Sequence, residues 1–450
     1  MFDLIVKNGL VVLPTGTQKV DIAVFGGKIV VIGVAGSLNE AKKIVDAEGK
    51  YVLPGVVDGH VHFNDPGLTE REDFLTGTSA AAAGGVTAVI EMPLSGNPTV
   101  TSVETLNLKK SAAREKAVVD YALWSGLVTD NTSQMELIQS AGAIAFKAFT
   151  CFAGDDFPYA TSATLYKGMM EAARINALIG VHCEDHDLVE AFEAEARRLG
   201  KTSVRDFLDC HSPVTELVAT NMVLELAKET GARVHICHAS LPEVVALVTE
   251  ARNSGARVSV ETCPHYLLLT EEALEKQQGF LKCTPPVRTL MDLEGLWDLV
   301  FSGEIDMIGS DHSPSTLAQK QPASGNFWDA WGGTNGVQTM LPALYSEGVL
   351  KRGLPIEQLM RLISTNPAMI FGLYPQKGSI QLGSDADFVI FDPEKEWRVT
   401  PDLLFYKNKH TPYMGMTLTG CVEKTFVRGN LVYDSGKIEA KPGSGCFLHR

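Results

Sequence analysis

Val56-Val57-Asp58-Gly59-His60-Val61-His62 decides how this chain is read: an apolar run ends in two histidines two residues apart. In a strand, residues i and i+2 project to the same side, so both imidazoles leave the strand end together. A second such run, Asp306-Met307-Ile308-Gly309-Ser310-Asp311-His312, ends with Asp311. Between the two runs, Lys147, His182 and His238 each stand near the end of a short β-rich stretch. Imidazole nitrogens with a carboxylate suit zinc or a similar divalent ion. Singly, a His-x-His pair is more often packing than ligation, and a Lys or Asp at a strand end is usually solvated. Their order and placement together predict a metal-dependent hydrolase.

Working outward, eight β-rich segments follow one another at 56–62, 86–92, 118–128, 143–149, 177–185, 233–239, 257–266 and 306–312. Helical spacing of apolar residues fills intervals between them, at 101–116, 162–175, 214–230 and 242–253. Gly84, Gly142, Gly231 and Gly255 precede the next strand, where left-handed helix caps are expected. Apolar strands alternating with helices predict a parallel sheet covered on its outside, and eight units predict an α/β (β/α)8 TIM barrel. In such a barrel functional side chains gather at the C-terminal ends of the strands. His60, His62, Lys147, His182, His238 and Asp311 all satisfy that rule. His235 competes with His238 but lies deeper in its strand with the opposite parity.

The chain ends carry a different pattern. Short alternating strands with Asn8-Gly9 and Gly26-Gly27 as hairpin signals occupy residues 1–52. Residues 381–450 contain a strand near 386–391 and a hairpin pattern over 426–433 around Gly429-Asn430. The reading is a barrel over 53–380, with 1–52 and 381–450 combining into a small β-sandwich.

The sequence has 450 residues, 45% hydrophobic, enough for a large core and two domains. A net charge of −15 argues against nucleic acid or an anionic membrane as partner. The eight cysteines form no Cys-x-x-Cys pair, so reduced thiols in a cytoplasmic protein are expected. The first residues, Met1-Phe2-Asp3-Leu4-Ile5-Val6-Lys7, carry charges where a signal peptide needs an unbroken apolar core.

Two divalent ions at one site require anions between them. Asp311 supplies one, and Lys147 supplies another if carbon dioxide converts its amine to a carbamate; the alternative is a substrate-binding lysine beside a single metal. Hydroxide formed between metals about 3.5–4 Å apart would attack an amide carbonyl. Asp311 would carry its proton to the leaving nitrogen. No Gly-x-Ser-x-Gly elbow offers a competing nucleophile.

Taken together these residues resemble the cyclic amidohydrolases of the amidohydrolase superfamily: allantoinases, hydantoinases, dihydropyrimidinases and dihydroorotases. The resemblance spans the chain. It rests on the run from Pro54 to His62, on Phe146-Lys147, Val181-His182-Cys183-Glu184 and His235-Ile236-Cys237-His238, and on Glu261-Thr262-Cys263-Pro264-His265-Tyr266. Pro285-Pro286-Val287-Arg288, Ser310-Asp311-His312-Ser313 and Gly383-Ser384-Asp385-Ala386-Asp387 extend it. It implies metal ligation by His60, His62, Lys147, His182, His238 and Asp311, with Lys147 carboxylated and bridging. It also implies zinc, with cobalt or manganese as alternatives, and a homotetramer or a dimer.

Dihydroorotases follow His-x-His with a carboxylate-binding arginine, whereas Phe63-Asn64-Asp65-Pro66-Gly67 stands here. D-hydantoinases and dihydropyrimidinases carry a tyrosine where this chain has Phe152. Glu91-Met92-Pro93-Leu94, Lys282-Cys283-Thr284-Pro285-Pro286 and Trp331-Gly332-Gly333 look like the allantoinase pattern, although Leu68-Thr69-Glu70-Arg71 replaces the arginine many allantoinases place directly after Pro-Gly. The resemblance therefore implies opening of the hydantoin ring of allantoin to allantoate, with hydrolysis of other 5-substituted hydantoins as the alternative. Asn64, Thr150, Phe152, Thr284, Gly332 and Gly333 are the expected substrate contacts. A non-catalytic scaffold related to the same enzymes is disfavoured, since that class loses ligands this chain keeps.

Overall fold

Apolar strands that alternate with helices can bury both faces only in a parallel sheet wrapped by those helices. The computed structural model, which describes residues 1–449, has that form. Its eight-stranded parallel sheet runs in chain order through Val56–Val61, Val86–Glu91, Asp120–Gly126, Ala143–Phe149, Leu178–His182, Arg233–Ile236, Val258–Thr262 and Met307–Ile308. The first and last strands meet through a parallel bridge between Val61 and His312, where His62 N donates to His312 O at 2.7 Å. This joins the two edges of the sheet into a (β/α)8 barrel.

Several strands are shorter than the apolar runs that announce them. The final run keeps ladder pairing only at Met307–Ile308, because the backbone then turns over the barrel mouth and Asp311 takes φ 44°. His238 likewise follows its strand with φ 36°. Positive φ in a non-glycine residue is strained and gathers at functional positions. Among the expected helix caps, Gly142, Gly231 and Gly255 take positive φ; Gly84 does not, and its neighbour Gly85 makes the left-handed turn at φ 81°.

Tyr51–Pro54 enters the barrel and pairs antiparallel with Phe388–Arg398, stitching the two chain ends into one nine-stranded sheet. Leu4, Ile22, Ile29, Val52, Phe388 and Phe426 form its own apolar core. Asn8-Gly9 is not a hairpin turn. It is an irregularity inside the single strand Phe2–Leu13, where a Cβ on Gly9 would stand 2.4 Å from Val52 Cγ2. An Asn-Gly pair supplies the positive φ that either a turn or a bulge needs, and here the close neighbour selects the bulge. The terminal sheet is tied to the barrel by Lys377. Its buried ammonium lies 2.5, 2.9 and 2.7 Å from Asp120, Asp385 and Asp387.

Candidate active site and metal centre

His60 is the penultimate residue of the first barrel strand and His62 follows its end, and both aim Nε2 at Asp311 Oδ1, each at 3.3 Å. On the far side of the ring, His60 Nδ1 donates to Glu261 Oε1 at 2.5 Å. Glu261 also faces His235 Nε2 at 3.3 Å and accepts from His238 N at 3.1 Å. A neutral His60 that donates through Nδ1 presents a bare lone pair at Nε2. That lone pair points at a carboxylate oxygen. Two acceptors at this separation repel unless a cation sits between them, and 3.3 Å is close to the edge of a tetrahedron with ligand bonds of about 2.0–2.1 Å.

Protonation states suit such a site. Burial would raise the Asp311 carboxyl, but His60, His62 and His265 outweigh it and bring it to about 2. Burial lowers His60 despite its carboxylate neighbours, so the imidazole is neutral and able to ligate. Burial would also raise Glu261, yet His60 and His235 hold it well below the usual carboxylate range.

A second cluster adjoins the first. His182 ends the fifth strand, and its Nε2 donates to Glu184 Oε2 at 2.8 Å. Its Nδ1 faces His238 Nε2 at 3.0 Å. Burial lowers both rings, and for His238 the nearby Lys147 adds to the effect. Lys147 itself is wholly buried, and among the described residues its Nζ has no hydrogen-bond partner. Gly180 lies opposite Lys147 in register, and a Cβ there would come within 2.7 Å of Trp124. A buried ammonium without an anion is costly. Conversion of Lys147 to a carbamate would remove that cost and would add a carboxylate-like donor beside His182 and His238. The donor set therefore fits divalent ions.

A cavity of about 440 Å³ opens onto these groups and is lined by His60, His62, His182, His238 and Asp311. The residues of the chain from 51 to 432 match the amidohydrolase family model. The chain belongs to the amidohydrolase family. An allantoinase of Escherichia coli is 41% identical to it over 438 residues, covering 96% of this chain and 95% of that protein. An allantoinase of Salmonella newport is 40% identical, covering 99% and 98%. Among solved structures, an L-hydantoinase (dihydropyrimidinase) from Arthrobacter aurescens superposes with TM-score 0.97 at 34% identity, covering 100% of both chains. A dihydropyrimidinase from Brevibacillus agri gives 0.93 at 30%, covering 100% of this chain and 99% of that one.

In this amidohydrolase, Phe152, Thr284, Gly332 and Gly333, four of the expected substrate contacts, line the cavity. Gly333 must be glycine: its φ is 147°, and a Cβ would meet Ser313 Oγ at 2.4 Å. Asn64 and Thr150 do not line it. The Asn64 amide turns back to His62 O at 3.2 Å, and the Thr150 hydroxyl donates to the backbone carbonyls of His182 and Glu184. Both side chains are buried against the segments they bond, and Asn64 Oδ1 has no hydrogen-bond partner among the described residues.

Several functional groups escape the sequence reading. Glu261 and Glu184 hydrogen-bond His60 and His182, and only an acidic residue inside a short apolar strand, as in Val258–Thr262, hints at the first. His211 Nδ1 lies 2.6 Å from Glu184 Oε1 and its Nε2 3.2 Å from Glu193 Oε1. Burial would lower His211, but Glu184 and Glu193 raise it to about 9. The helix His186–Arg198 also lies outside the sequence reading: its apolar contacts are few, with Ala196 buried and Phe192 packed against the core.

Proposed function

We propose that this protein is a dimetal hydrolase that opens the hydantoin ring of allantoin to give allantoate. Near-full-length identity of 41% to an allantoinase, above the 34% to the L-hydantoinase neighbour, carries the choice of substrate. His60, His62 and Asp311 would hold one ion, and His182 and His238 the other, with carboxylated Lys147 shared between them. Ions held there would supply Lewis-acid polarisation of the ring carbonyl and would lower the pKa of water from 15.7 to roughly 7. Zinc suits a nitrogen and oxygen donor set, with cobalt or manganese as alternatives.

Asp311 is ionised and lies within reach of whatever His60 and His62 hold, so it takes the proton from the attacking water. It then returns that proton to the ring nitrogen as the C–N bond breaks, which spares the nitrogen from leaving as an anion. Glu261 keeps His60 in the tautomer that offers Nε2, and Glu184 does the same for His182 Nδ1. Thr284 and the backbone at Gly332 and Gly333 frame the ring, and Phe152 closes the mouth.

All eight cysteines are free thiols, which supports a reducing, cytoplasmic setting. No helix among the described residues is long and apolar enough to cross a membrane. Exposed Tyr166 with Met170 and Val214 with Val218, each pair one turn apart on adjoining helices, support a homo-oligomer.

A second reading, hydrolysis of 5-substituted hydantoins, draws on the L-hydantoinase likeness and on the exposed ring of Phe152 at the mouth. The test is kcat/KM for allantoin against a hydantoin with an aromatic 5-substituent, at equal metal loading. A clear preference for allantoin is expected. The opposite preference moves the protein to the second reading.

A further inference from the structure

One wall of the cavity is built by the helix His186–Arg198, capped by Asp185, whose side chain accepts from Leu188 N at 3.0 Å. His186, Glu190, Glu193 and Arg197 recur at helical spacing and all line the cavity. A helix packed on a barrel ordinarily turns an apolar stripe inward. This one packs Phe192 and Ala196 against the core and, beside Val189, also turns charged side chains toward the cavity, so that part of its surface is suited to meet something polar.

Within that face Glu193 is the fixed group. One of its oxygens accepts from His211 Nε2 at 3.2 Å and the other from Arg197 Nη2 at 3.2 Å. Arg197 is itself held over Trp328, 4.8 Å from the ring centroid. His211 is locked from behind by Glu184, so two elements immobilise the carboxylate without covering it: its side chain keeps 27% exposure. Glu190, by contrast, is simply exposed. Burial would raise Glu193, but His211 and Arg197 keep it ionised. A carboxylate has about four lone-pair sites, and two are used, so acceptor capacity remains toward the cavity.

Resting on the allantoin reading above, we propose that Glu193 is a specificity residue that accepts hydrogen bonds from the N–H groups of the substrate's ureido substituent. A ureido group presents its terminal and internal N–H on one edge, which matches the two oxygens of a carboxylate. The group is neutral, so it does not compete with His211 as a cation would. A hydantoin with an apolar substituent desolvates Glu193 and gives nothing back, and sites with polar groups left unpaired reject such analogues. The wall thus explains at the level of chemistry why a ring with a polar arm is preferred.

The experiment uses the metal-loaded full chain and compares allantoin with unsubstituted hydantoin, which has the same ring and no ureido arm. In Glu193→Gln and Glu193→Leu, the ratio of kcat/KM for allantoin to that for hydantoin should fall about 10- to 100-fold, carried mainly by KM. Glu195→Gln, at an exposed carboxylate of the same helix that pairs with Arg198, should leave the ratio near its wild-type value. An equal loss on both substrates means Glu193 only supports the fold, and an unchanged ratio means it does not touch the arm; either overturns the proposal. If wild-type protein opens hydantoin but not allantoin, the substrate reading fails by itself. The ratio between a hydantoin with a carboxamide arm and unsubstituted hydantoin then decides the Glu193 proposal. Metal content of each variant separates folding failure from loss of recognition, and Glu193→Gln keeps the shape if Glu193→Leu does not fold.

Discussion

Replacing Glu261 by Gln perturbs the metal centre without touching any proposed ligand. The wild-type carboxylate serves His60 Nδ1 at 2.5 Å, His238 N at 3.1 Å and His235 Nε2 at 3.3 Å. A carboxamide of the same size keeps one acceptor oxygen but loses the charge and turns an N–H₂ group toward one of these partners. Hydrogen bonds to charged groups contribute about 1.5–3 kcal/mol and neutral ones about 0.5–1.5. Weakening the His60 bond alone should therefore cost about 1–2 kcal/mol of metal binding, a factor of roughly 5–30, within the 10–100-fold range usual for groups behind a metal ligand. Competition against a chelator reads the affinity directly, and a thermal melt of the variant checks that the strands Arg233–Ile236 and Val258–Thr262 still pair. Wild-type metal affinity in a folded Glu261→Gln protein would refute the argument that Glu261 sets the His60 tautomer.

Other expectations follow from the same geometry. Asp311→Ala removes a ligand and the proton carrier together, so turnover should drop at least about 10²–10⁴-fold while circular dichroism stays unchanged; near-normal activity at full metal occupancy would count against both roles. Lys147→Ala should lose metal and activity, with partial rescue by a short carboxylic acid, whereas an uncarboxylated Lys147 seen in active dimetal protein would end the bridging idea. Lys377→Met leaves buried Asp387 without a cation, while Asp120 keeps Arg428 and Asp385 keeps Lys28, which should cost about 3–5 kcal/mol in a denaturant titration. His211 is raised from 6.5 to about 9 by Glu184 and Glu193, so its stabilisation is full below pH 6.5 and disappears as pH climbs through 9. Unfolding curves of His211→Gln should accordingly lack the part of the decline between those pH values that the wild type shows; parallel curves would show that His211 is not the group responsible.

The barrel and its proposed ligand set were legible because they obey local rules. His60 and His62 share parity at a strand end, and Lys147, His182, His238 and Asp311 each end or closely follow an apolar run. What was not legible depends on segments distant in sequence. His211 reaches Glu184 and Glu193 only because the helices His186–Arg198 and Val204–Cys210 fold against each other, and no spacing rule encodes that meeting. Thr150 looked like a substrate contact by its place after Lys147, yet its hydroxyl serves the backbone of the neighbouring strand. Asn8-Gly9 carries the chemistry of a turn, and only the approach of Val52 makes it a bulge.

The most direct test is a metal titration of chelator-stripped protein, read as allantoate formed from allantoin at each added equivalent of zinc. The account predicts negligible turnover in the stripped protein and a rise that levels off at about two equivalents per chain. Full turnover without metal, or saturation with no ring opening of allantoin, would contradict it.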